Sequence, residues 1–250
     1  MPDVLFNPAP TESPLHALAD KAERAQWRAA DVAGWDEDMT LPWWLPRKFC
    51  AAVVSQLFHG EQATLKMCHR LLAEIEAPAA RRCLELQIAD EERHARVFLD
   101  YLSGIGGLQP IDPVLAAAYD KALAWTGPPE GLIAAFNIIL EGEALYALDY
   151  LAGWIKCPLF RRIKGQVAKD EARHLAFGRL YLESTLGAFS PDQRQDLYDW
   201  LKDLWHDTAF GVLGKFRIPN FILRRRCRAW ATTGWRDQQR VLAGVGLVAQ

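Results

Sequence analysis

No stretch of the sequence alternates polar and apolar residues as a strand would, which excludes a sheet-based fold and leaves helices to bury its apolar half. Cysteine is scarce. The five present, Cys50, Cys68, Cys83, Cys157 and Cys227, are odd in number and form no C-x-x-C, so reduced thiols and a cytoplasmic setting are expected. No cysteine cluster could ligate iron–sulfur, and no G-x-G-x-x-G follows a strand to open a helix; Gly104 to Gly107 sit in a linker. Neither sign of charge dominates: 29 basic residues face 31 acidic ones, the net charge is −2 and the pI is near 6.3, which removes any global pull toward nucleic acid. The amino terminus carries prolines and acids where a secretory leader has a basic start and an apolar core. The most apolar stretch, Gly131 to Ile155, is interrupted by Glu141, Glu143 and Asp149, and reads as a buried bundle helix rather than a membrane span.

What the sequence does have is a repeat. At a constant offset of 80 residues, thirteen of the 42 positions from Glu61 to Leu102 match those from Glu141 to Leu182, where composition alone would give roughly two or three. The matched residues include Pro78/Pro158, Arg81/Arg161, Arg82/Arg162, Tyr101/Tyr181 and the run Asp90-Glu91-Glu92-Arg93-His94 against Asp170-Glu171-Ala172-Arg173-His174. From Glu61 to Ala77, and from Glu141 to Cys157, are sixteen residues; from each following proline to its glutamate are thirteen. Proline opens the next helix, where its missing N–H costs nothing. Both arms then run about 20 Å from turn to glutamate, so Glu61 meets Glu91 and Glu141 meets Glu171 at one height. The chain carries a duplicated helical hairpin.

The chemistry follows from spacing. Residues three apart on a helix share a face, so Glu91 with His94, and Glu171 with His174, each offer a carboxylate and an imidazole together. With Glu61 and Glu141 added, four carboxylates and two histidines converge if the hairpins pack as a bundle. Hard carboxylates bridge and balance two cations, while one imidazole per ion leaves positions open. Unpaired acids on inward faces would each cost several kcal/mol.

The doubled Asp-Glu-x-Arg-His, preceded by Glu61 in one hairpin and by Glu141-Gly142 in the other, resembles the ferritin-like di-iron carboxylate superfamily over about Arg47 to Leu186. Within it the pattern is most similar to the branch of ribonucleotide reductase small subunits, bacterial multicomponent monooxygenases, acyl-carrier-protein desaturases and ligand-binding oxidases. The resemblance implies an all-α, ferritin-like four-helix bundle with extra N- and C-terminal helices. It implies Glu61, Glu91, His94, Glu141, Glu171 and His174 as ligands of two iron ions, with Mn/Fe as the other pairing. It further implies that Asp90 and Asp170 hold imidazole N–H protons, each on the histidine of the other hairpin, with Arg93 and Arg173 balancing their charge.

The implied activity is that of an oxygenase or oxidase that uses dioxygen and an external electron donor, a ferredoxin or reductase, on a small, partly apolar substrate lying against Ala144, Leu145 and Phe98. A homodimer is compatible with it. The alternatives are a ferroxidase or metal-storage protein, and a non-catalytic bundle with a buried polar network. Three departures set the chain apart. Phe98 stands where reductase subunits carry the radical tyrosine, Phe136 where ligand-binding oxidases carry a crosslinked tyrosine, and Leu145 where many monooxygenases carry threonine.

In chain order, residues 1–46 form a loose arm to Ser13, a helix from Pro14 to Val32 and a tryptophan-rich loop. Residues 47–187 form the bundle, with helices Arg47–Glu76, Pro78–Ser103, Pro129–Lys156 and Pro158–Leu186, and a short crossing helix Pro113–Trp125. Residues 188–250 add helices Ser190–Gly211 and Phe221–Ala243 around a break at Arg217-Ile218-Pro219-Asn220. Glu143, about 200° around the helix from Glu141, reads as an outer acid or as a shifting ligand. His59 and His69 read as core or surface groups, Gln62, Thr64 and Asn137 as donors near the site, and Tyr101 and Tyr181 as packing or relay residues. Arg224 to Arg228 reads as a solvated helix start or a dock for an acidic electron donor.

Overall fold

The computed structural model describes residues 12–32, 34–37, 39–210 and 221–248, and every regular element among them is helical. The elements are α1 (Glu12–Arg24), α2 (Arg47–Glu74), α3 (Pro78–Ile105), α4 (Pro113–Leu123), α5 (Pro129–Ile155), α6 (Pro158–Thr185), α7 (Pro191–Trp205) and α8 (Phe221–Gly244). Helices α2 with α3, and α5 with α6, form the two hairpins, and α3 packs on α6 to join them.

Proline at N1 starts both return helices, after Ile75 in the first turn and after left-handed Lys156 (φ 52°) in the second. Arg81 closes the first turn by donating to the carbonyl oxygens of Leu72 and Ile75. The repeated Arg82 and Arg162 have diverged in partner. Arg82 pairs with Asp20 and Glu23 of α1, whereas Arg162 donates to Glu37 of the tryptophan-rich loop at 2.9 Å.

Two apolar clusters fill the bundle. One, with Met67, Leu84, Phe136 and Leu182, occupies the half toward the α2–α3 turn. The other, with Val54, Phe98, Leu148 and Phe160, occupies the half toward the α5–α6 turn. Each fully buried Leu or Phe stabilises by roughly 1.5–3 kcal/mol, so the polar middle is held between two apolar plugs. Tyr101 packs on Phe160 (5.3 Å between ring centroids) and Tyr181 on Phe177 (6.0 Å). Helices α7 and α8 pack against α5, which is 72% buried over its most apolar window although long and apolar enough to cross a membrane.

The helices depart from expectation at several points. The first helix stops at Arg24 instead of Val32, because Gln26 and Trp27 turn inward to hydrogen-bond the bundle. Helix α5 is π-wound from Ala134 to Leu140, so that the Glu141 N–H reaches back to Phe136. Helix α7 continues as a π-turn, His206–Phe210. The expected arm before Glu12 and the break at Arg217 to Asn220 lie outside the described residues.

Candidate metal centre

All six sequence-predicted carboxylate and imidazole residues meet at mid-bundle, and all are buried. They form two overlapping groups: Glu61, Glu91, His94 and Glu171, and Glu91, Glu141, Glu171 and His174, with donor atoms within 4.8 Å of one another in each. Nδ1 of His94 lies 3.7 Å from Glu61, 3.5 Å from Glu91 and 3.3 Å from Glu171. Nδ1 of His174 lies 3.2 Å from Glu91, 3.8 Å from Glu141 and 3.6 Å from Glu171. Glu91 and Glu171 are thus shared, while Glu61 and Glu141 each belong to one group.

The outer nitrogens are fixed across the hairpins. His94 Nε2 meets Asp170 Oδ2 at 3.0 Å, and His174 Nε2 meets Asp90 Oδ2 at 3.1 Å. An aspartate there keeps the proton on Nε2 and turns the Nδ1 lone pair inward. Arg93 bridges Asp90 and Asp170, and so does Arg173. Two further donors come from beyond α1: Gln26 Nε2 to Asp90 at 2.9 Å and Trp27 Nε1 to Asp170 at 2.8 Å. The Trp27 ring stacks on His94 (6.4 Å) and beneath the Arg93 guanidinium (4.7 Å). Burial alone would raise both aspartates, but hydrogen bonds and charge from His174 hold Asp90 below the usual carboxylate range, and those from His94 do the same for Asp170.

The residues fit a pair of cations. Nδ1 of His94, Nδ1 of His174 and Oε2 of Glu91 are buried without a hydrogen-bond partner, which a native interior avoids unless something else fills the role. The side chains by themselves would gather protons instead. Burial, then the neighbouring Glu91, pushes Glu61 well above the usual carboxylate range, and burial likewise drives Glu141 upward. Both imidazoles are pushed up against the effect of burial by the acids around them.

Some residues here carry little sequence signal. Gln87 Nε2 donates to Glu141 at 2.6 Å and to Glu91 at 3.3 Å, while Gln87 Oε1 accepts from Asn137 Nδ2 at 3.0 Å; the place of Gln87 four residues before Glu91 is the sequence clue. Asn137, an expected donor, reaches the Glu141 carboxylate at 3.3 Å. Gly178 lets α6 close on that π-wound segment, since a Cβ there would stand 2.7 Å from the Asn137 Cβ. His59 instead bonds the Gln109 carbonyl, and His69 is exposed.

A cavity of about 810 Å³ opens from the centre between α2 and α5. Glu61, Glu141 and Glu171 line its inner end. Its walls run out to Phe49 and Trp154, about 18–20 Å along their helices. Of the three expected substrate contacts only Ala144 lines it. Leu145 falls about 100° further around α5, and Phe98 is wholly buried in the apolar cluster below. Glu143 and Thr64 also line the cavity, whereas Gln62 does not. Glu143 takes no part in either ligand group; burial pushes it up to about 7, with a hydrogen bond from Thr208 acting in the opposite direction. In the basic run, Arg225 and Arg228 are exposed, and the side chains of Arg224, Arg226 and Cys227 lie outside the described residues.

No family model and no curated protein matches the sequence. Solved structures do match. A variant of R2-like ligand-binding oxidase with an anaerobically reconstituted Mn/Fe cofactor superposes with a TM-score of 0.73 at 16% identity, over 91% of this chain and 93% of that one. A second such variant gives 0.70 at 16% identity over 96% and 95%. At that identity the likeness is one of architecture: the chain has the ferritin-like helical bundle fold of the R2-like oxidases.

Proposed function

We propose that the chain is a dinuclear non-haem oxygenase or oxidase, with Glu61, Glu91, His94, Glu141, Glu171 and His174 as ligands of two iron ions or of a manganese–iron pair. The observation that carries this reading is the pair of buried, unpartnered imidazole nitrogens facing four carboxylates at the head of an apolar cavity. The Mn/Fe cofactor of the structural neighbours supports the same chemistry. Metal ions held by these residues would supply the redox electrons for dioxygen reduction.

The chain's own residues do the rest. Asp90 and Asp170 keep each imidazole in the tautomer that presents Nδ1, and Arg93 and Arg173 balance the aspartates. Glu91 and Glu171 reach both groups and so bridge them, while Gln87 and Asn137 steady Glu141. The apolar walls of the cavity exclude water and orient a partly apolar substrate against Ala144. Phe98 and Phe136 bring no oxidisable phenol to the two positions they occupy. Electrons come from a separate donor, a ferredoxin or reductase, and the protein works in the cytoplasm. An iron-storage protein has no use for so large an apolar cavity beside its ligands.

Metal analysis tests the assignment. The wild-type chain should hold two transition-metal ions and consume dioxygen after anaerobic Fe(II) loading; Glu171→Ala and His94→Ala should each lose stoichiometric metal. Two ions retained in either variant would refute the ligand set.

A further inference from the structure

Among the described residues, most of the charge around the centre is paired. Around the centre, four glutamates match two divalent cations, and Asp90 and Asp170 match Arg93 and Arg173. Glu143 has no such partner. Its Oε2 is buried and makes no hydrogen bond. The Thr208 hydroxyl beside it has a single proton, shared among Glu143 and the carbonyl oxygens of Leu204 (3.2 Å) and Trp205 (3.3 Å). A carboxylate buried with so little compensation is costly unless a ligand completes it.

The surroundings say which ligand. Glu143 and Thr208 stand in the wall of the 810 Å³ cavity, and no lysine, arginine or histidine is among the described residues that line it. Asp112, the other acid there, is engaged as the cap of α4. Glu143 is two residues from Glu141, about 3 Å along the helix, so it lies near the level of the metal ligands. The Tyr119 hydroxyl reaches the same region, sitting 3.0 Å from where a Cβ on Gly60 would be. Beside the metal ligands, the described wall of the cavity therefore offers acceptors and no cationic side chain.

We propose that Glu143 is a specificity-determining residue that receives the ammonium group of an amine-bearing, otherwise apolar substrate, setting its nitrogen end beside the metal centre. This inference rests on the dinuclear reading above, since the two cations are what leave Glu143 as the surplus charge. An alcohol of the same length binds without the ion pair.

Calorimetric titration of the metal-loaded protein with decylamine and decanol tests it. Decylamine should bind wild type about ten-fold more tightly than decanol, the scale of one charge-assisted hydrogen bond. Glu143→Gln, which keeps the shape, should abolish that preference and leave decanol binding within about two-fold. Glu143→Leu should behave likewise, and far-UV dichroism checks that both variants are folded. An amine preference that survives in both variants, or decanol bound by wild type as tightly as decylamine, overturns the assignment. Metal content of each sample separates the two readings. Two ions per chain without amine preference removes the role of Glu143 alone, whereas amine preference with no bound metal removes the dinuclear centre and leaves the amine site.

Discussion

Asp170 on α6 grips Nε2 of His94 on α3 at 3.0 Å, and Asp90 on α3 returns the grip on His174 at 3.1 Å, so each hairpin orients the imidazole of the other. Asp170→Ala and Asp90→Ala should therefore weaken metal binding about 10- to 100-fold while leaving every proposed ligand in place. Competition with a chelator of known affinity measures this. Unchanged affinity in both variants would show that the aspartates serve only the arginines.

The same aspartate gives a pH signature. Its folded-state value lies below the ordinary 3.8 despite burial, so its stabilising contribution is full above about pH 3.8 and is lost as the pH falls toward the lower folded value. Asp170→Asn, isosteric but uncharged, should cost on the order of 3 kcal/mol at neutral pH because Arg93 and Arg173 lose a buried partner. Denaturant midpoints of the two proteins should converge as the pH drops below 3.8. A gap that stays constant to pH 2 would rule out the charge as its source.

Gly178→Ala should destabilise the fold by about 1–3 kcal/mol, since its Cβ would stand 2.7 Å from the Asn137 Cβ, an atom that moves only with its backbone, and 3.2 Å from Ile138 Cδ1. Calorimetric melting reads the loss. A variant as stable as wild type would mean that the π-wound segment shifts without cost.

Ala144→Phe should fill the inner cavity while sparing the ligands. Decanol binding should fall at least about ten-fold at unchanged metal content; undiminished binding would place the ligand elsewhere.

The duplicated hairpin was legible because its chemistry is periodic. Ligands three apart on a helix, and equal arms between proline and glutamate, survive translation from sequence to space without knowledge of any neighbour. Helix α2 begins at Arg47 as expected and ends two residues short of Glu76. What was not legible depends on contacts between distant segments. Nothing local to Gln26 and Trp27 says that they leave a helix for Asp90 and Asp170, 64 and 143 residues away. The π-winding before Glu141 has no local signature, and follows from the meeting of Asn137 with Gln87 and Gly178. Phe98 misled because it shares an azimuth with Glu91 yet lies about 10 Å further down the axis, inside a packed cluster. Leu145 was on the wrong side of its helix, a distinction that required knowing where the cavity opens.

The two hairpins repeat one another, but their surroundings do not. On one flank Gln26, Trp27 and the two arginines seal the histidine side with a polar lattice; on the other, the space between α2 and α5 is left open. A near-twofold set of donors is thereby placed in a lopsided envelope, with the bore of the cavity entering between α2 and α5. If the proposed oxidation takes place there, the depth to which a substrate is inserted should set its point of attack, and reshaping the floor of the bore should move that point along the molecule without disturbing the donors.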